Sequence, residues 1–128
     1  MKFTKEEINL CKQVAERHRE EINEGDWYHE PTDNSIRLCK DNLSFLQEAV
    51  SQRKFGVTPL WTISDCLEFL NQRDAHCVLL GWTGKTKRSK RYCHVYIANN
   101  IHEGEGYTYL ETLLIPVLAV LGEETASK

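Results

Sequence analysis

At 128 residues, 41% apolar and 27% charged, the chain has the composition of a soluble globular protein with a real core, which excludes a disordered or low-complexity polypeptide; one domain spanning 1–128 is expected. A net charge of −3 excludes polyanion binding by overall charge, and the longest apolar run, 113–121, is about half of what spans a bilayer. The first residues are charged and carry no apolar leader segment. The five cysteines form no Cys-x-x-Cys pair, so free thiols and a cytoplasmic location are the expectation.

In chain order, Thr4 and Glu7 form a capping box that opens a helix expected over 4–24. Ile8, Cys11, Ala15, His18 and Ile22 recur on one face, and Gly25 is a plausible stop. Residues 26–29 form a candidate short strand, and 30–34, with Pro31, Asp33 and Asn34, a turn. Residues 36–53 allow two readings. Ile36, Cys39, Leu43, Leu46 and Val50 keep helical spacing throughout; alternatively a strand over 36–39 precedes a helix capped at Asp41 or Asn42. Residues 55–61 are expected to be irregular, because Pro59 disfavours helix at Thr58. Thr62 with Asp65 caps a third helix over 63–72.

Two strands, 76–82 and 92–98, joined by a polar connection, read as a hairpin with a long loop. Residues 99–105 are expected to be a loop. Thr108 and Glu111 then cap a helix that is apolar on nearly every face, as a buried helix must be. Pro116 should kink it and Gly122 should end it. The fold expected is therefore α+β: an antiparallel sheet centred on the hairpin at about 76–98, packed by helices that include the buried C-terminal one.

Motifs that resemble chemical signatures fail on spacing. Gly81, Gly84, Lys85 and Thr86 look like the end of a phosphate-binding loop, but two residues separate the glycines where four are needed, and a strand follows where a helix N-terminus is required. His76, Cys77, Cys93 and His94 lie on two paired strands, whose alternation divides them between opposite faces; no metal is expected. A Cys77–Cys93 disulfide requires the two to be directly opposed. The loops holding His29 with Asp26, Glu30 and Asp33, and His102 with Glu103 and Glu105, read as solvated segments rather than acid–base sites. No catalytic residue and no cofactor are expected.

The strongest functional signal is cationic. Lys85, Lys87, Arg88, Lys90 and Arg91 place five positive charges in seven residues; setting them aside from the net −3 leaves −8 on the remainder. Flanked by Trp82 and Tyr92, this segment has the residue types for phosphate neutralisation and base stacking. Its other reading is a solubilising loop that discourages edge-to-edge strand pairing. Trp27, Trp61 and Trp82 sit near element boundaries, where they would close the core or, if exposed together, mark a protein partner.

A helix running into Gly25, Asp26 and Trp27; Leu60 and Trp61 leading into Ser64, Asp65, Cys66, Leu67, Glu68, Phe69 and Leu70; two strands; and the closing Gly106, Thr108, Glu111, Leu113 and Leu114: this order resembles small phage- and prophage-encoded proteins of the phage sandwich-domain type. Tyr109 stands where that pattern usually has proline. The resemblance covers most of the chain and implies helices on both faces of a sheet, a phage-related origin and no catalytic residues. The functional expectation is a non-enzymatic accessory or protein-interaction domain, with a protein partner or self-association. The alternative is a weak nucleic-acid-binding module using the cationic segment.

Overall fold

The computed structural model describes residues 2–18, 21–83 and 90–126, and the chain divides into two compact units, 1–61 and 62–128. Each builds its own three-stranded antiparallel sheet. The α+β class expected from the sequence is what the chain adopts, with two sheets in place of one.

In the first unit, α1 (Lys5–Arg17) starts at the capping box: Thr4 Oγ1 accepts from the Glu7 N–H at 3.1 Å, and Glu7 Oε1 accepts from the Thr4 N–H at 2.7 Å. Leu10, Cys11 and Val14 form its buried stripe. The helix ends at His18, short of the expected 24. His18 takes extended dihedrals while its N–H still donates to Val14. Its ring meets Trp61 edge to face at 6.0 Å. Ile22 continues the helical spacing but belongs to a different cluster, with Tyr28, Cys39, Leu46 and Val50. Ile22 is thus buried at the helical interval without being helical.

β1 (Trp27–Glu30) and β2 (Ser35–Leu38) form a hairpin, and α2 (Leu43–Ser51) follows; the strand-then-helix alternative for 36–53 is the one realised. Residues 58–60, expected to be irregular, form β3 (Thr58–Leu60), with Pro59 opposite Tyr28. The sheet order is β2-β1-β3, so β3 is an edge strand, where a proline without an N–H is tolerated.

In the second unit, α3 (Ile63–Gln72) has a reciprocal capping box between Thr62 and Asp65 and buries Cys66, Phe69 and Leu70. β4 (Ala75–Thr83) and β5 (Lys90–Ile97) pair as the long hairpin. Residues 100–106, expected as loop, form a third strand, β6 (Asn100–Gly106), joined to β5 through Ala98 and Asn99. Ala98 takes a positive φ of 53° in that tight turn. His102, Gly104 and Gly106 are buried and alternate with exposed Ile101, Glu103 and Glu105. The two glycines looked like loop formers, but one is a seat for a helix.

That helix is α4 (Tyr109–Ala126), which packs over β5 and β6 and beside α3. Thr108 Oγ1 accepts from the Glu111 N–H at 3.1 Å. Leu113, Leu114 and Val117 are fully buried. Pro116 cannot donate to the Thr112 carbonyl, the usual i−4 bond. This carbonyl is the atom nearest Gly104, where a Cβ would collide with it and with Pro116 Cδ. The helix runs through Gly122, its expected end, to Ala126. Arg73 donates to Glu124 at 2.9 Å, tying the last turns to the end of α3 and helping to offset the glycine's weak helix propensity. No helix among the described residues is long and apolar enough to cross a membrane.

Candidate interaction surface

β4 lies at one edge of the order β4-β5-β6. Its sequence has no Asp, Glu, Lys, Arg or Pro, and it follows α3 through Asp74, whose φ of 61° makes the reversal. A bulge at its start sets His76 and Cys77 against Tyr96; thereafter the register is regular, with Leu79 opposite His94, Leu80 opposite Cys93, Gly81 opposite Tyr92 and Trp82 opposite Arg91.

Alternation then decides what is covered. Val78, Leu80 and Trp82 share the face of Cys93 and Val95, the face on which α4 lies. Because α4 is centred over β5 and β6, it buries Cys93 and Val95 completely but leaves Leu80 43% and Trp82 68% exposed. On the opposite face Leu79 is 49% exposed, beside half-buried Tyr92, His94 and Tyr96. The result is an uncharged edge strand with large apolar side chains exposed on both faces. This combination invites pairing with another chain.

The cationic segment is only partly visible in this geometry. Lys85, Lys87 and Arg88 lie outside the described residues. Lys90 is exposed at the start of β5. Arg91 donates to the Tyr107 carbonyl at 2.7 Å, and its guanidinium sits 5.3 Å from the centre of the Tyr109 ring, so it braces the entry to α4. Trp82 and Tyr92 project from opposite faces: Tyr92 lies across Gly81, where a Cβ would push its ring aside, and Trp82 shares the other face with Arg91. The two rings therefore do not form one stacking platform. Of the three tryptophans, Trp61 is buried, Trp27 half-buried, and only Trp82 strongly exposed.

The histidine, cysteine and carboxylate groups are likewise dispersed. Cys93 faces α4, and burial pushes its thiol up to about 11. Leu80 opposes Cys93, so Cys77 and Cys93 are not paired, and all five cysteines are free thiols. His102 is buried beneath α4 with Nδ1 3.8 Å from Glu123, whereas Glu103 points to the other face, 4.0 Å from His94. In the first unit His29 is 3% exposed; its Nε2 lies 2.7 Å from Asn34 Oδ1, and its Nδ1 has no partner among the described residues. The nearby acids serve their own loops. Asp26 accepts from the Asn23 N–H, Glu30 from Thr32, and Asp33 is held below the usual carboxylate range, chiefly by the Ser35 hydroxyl and also by Arg37. Among the described residues no three His, Cys, Asp or Glu side chains are placed to hold a metal ion.

The first unit also has an open groove of about 400 Å³ with Val50, Val57 and Pro59 on its walls and Lys12, Glu16 and Arg53 among its charged groups. Among the described residues no histidine or cysteine lines it. Comparison with family models, with curated proteins and with solved structures gave no match to this chain.

Proposed function

We propose that this chain is a non-enzymatic accessory domain that acts by binding another protein, and that β4 is the surface it uses. The observation that carries the reading is the uncharged edge strand with Leu79, Leu80 and Trp82 exposed. An extended segment of a partner would complete the backbone hydrogen bonding along β4, and the exposed side chains would provide apolar contact on both faces. Among the described residues His94, His102 and His29 lie apart, each beside a different group (Glu103, Glu123 and Asn34), and this dispersal supports a binding role over a catalytic one. A phage or prophage origin belongs to this proposal and rests on the resemblance of the helix caps and core positions described above.

Affinity capture with the wild-type chain and with a Leu80→Lys, Trp82→Ser variant tests the reading. A protein retained by the first and lost from the second, with the same circular dichroism for both baits, is the expected result. Equal capture by both places the binding surface elsewhere.

The run of five cations supports a second reading, contact with nucleic acid. Binding to short DNA and RNA should then weaken steeply with salt and vanish when Lys85, Lys87, Arg88, Lys90 and Arg91 are changed to Ser. Equal, negligible binding by both proteins reduces the segment to a solubility device.

A further inference from the structure

We infer that the occupant of the β4 edge is a second copy of this chain, paired antiparallel through β4 about a two-fold axis near Leu80; this rests on the reading of β4 as the interaction surface. Alternate residues of an edge strand turn their N–H and C=O groups away from the sheet, so β4 offers a row of donors and acceptors that no strand among the described residues matches. The usable length is Cys77 to Thr83, because the bulge at His76 breaks the register before it.

Three features favour a like partner. First, the strand carries no formal charge, so a two-fold pairing sets no like charges opposite one another. Second, an axis at Leu80 is sterically self-consistent. It places Leu79 opposite Gly81 of the other copy, Val78 opposite Trp82, Cys77 opposite Thr83, and Leu80 opposite itself. Leu80 and Trp82, left bare by α4, therefore gain Leu80 and Val78 of the other copy as apolar neighbours on their own face. Third, the antiparallel direction sends the two exposed Lys90 side chains, each on the strand beside Thr83, to opposite ends of the pair; a parallel arrangement would leave both at the same end.

The product is one continuous six-stranded sheet with order β6-β5-β4-β4-β5-β6. Its new outer edges are both β6, which carries Glu103 and Glu105. A two-fold pairing uses the same edge on each copy, so it closes at two. A contact confined to one strand edge is small beside permanent interfaces, so a dissociation constant in the micromolar range is expected.

The test is sedimentation equilibrium of the full chain from low to high micromolar concentration. It is run on wild type, Leu80→Lys, Trp82→Ser and, as a control, Ile101→Lys, which adds the same charge at an exposed apolar position on the other edge. Wild type and Ile101→Lys should dimerise, whereas Leu80→Lys should dimerise at least tenfold more weakly and Trp82→Ser measurably more weakly. Circular dichroism checks that each variant is folded, and Trp82→Ser decides the matter if Leu80→Lys is not. A wild-type chain that stays monomeric, or a dimer indifferent to both β4 substitutions, overturns the inference. If the chain is monomeric yet the β4 variants still lose a captured protein, only the identity of the occupant has failed. If they lose nothing, the reading of β4 has failed with it.

Discussion

The two edges of the second sheet are made from strands of similar length in one hairpin meander, yet they are finished in opposite ways. β6 is committed to the interior. Gly104 admits the α4 backbone at Thr112 and Pro116, His102 is buried beneath the helix, and the outward positions carry Glu103 and Glu105. β4 is held by β5 and touches α3, but its outward half offers Leu79, Leu80 and Trp82 to solvent without a single charge. Position at a sheet edge alone therefore does not make a surface available. What matters is whether a helix sits on the strand and whether its outward residues repel a partner. In this molecule one edge supports the fold and the other keeps large, uncharged side chains exposed.

The largest effect on that contrast should come from Gly104→Ala. The new methyl has to displace a helix backbone rather than a flexible side-chain tip, so a loss of about 1–3 kcal/mol or more is expected in urea unfolding. An unchanged midpoint would mean that α4 is not seated on β6 as described. Alkaline pH should act next, through Cys93. Its folded thiol stays protonated up to about 11, above its ordinary value of 9.0. The stability linked to that group is thus complete below about pH 9 and declines between 9 and 11, where the unfolded chain releases the proton and the folded one does not. The decline should be smaller in Cys93→Ala, and native Cys93 should be far slower to react with thiol reagents than half-exposed Cys77. Thr62→Ala removes the cap of α3 and should cost about 1 kcal/mol. The smallest stability effect belongs to the other edge. Trp82→Ser should leave the unfolding free energy within about 0.5 kcal/mol, as for most exposed positions, while weakening association. Loss of stability there comparable to that of Gly104→Ala would show that Trp82 supports the fold and would dissolve the contrast.

The helix starts were legible because capping is local: Thr4 with Glu7, Thr62 with Asp65, and Thr108 with Glu111 each lie within one turn, and each threonine accepts from the backbone N–H three residues on. The long hairpin was legible because β-branched and aromatic residues cluster on both sides of a polar connection. The cap at His18 has no signal in the apolar pattern, because Ile22 is buried at helical spacing but against another cluster. β3 was missed because its proline is tolerable only at a sheet edge, and edge position is not a local property. β6 was missed because Gly104 and Gly106 resemble a loop until a helix is laid across them. The cationic segment was the visible functional signal, and Lys90, Arg91, Trp82 and Tyr92 are where its described part lies. The exposed run on β4 had no signature of its own, since Leu79, Leu80 and Trp82 would read the same in a buried strand.

By itself the sequence determined the α+β class, the three threonine caps, the hairpin and the buried character of the last helix. Each depends on residues near one another in the chain or on a simple apolar period. Only tertiary structure decided that there are two sheets, that Trp82 and Tyr92 face opposite ways, and that β4 rather than β6 is left open. These are consequences of register and of where α4 comes to rest. A one-residue change in pairing inverts every side chain on a strand, and a helix covers only the strands it lies across.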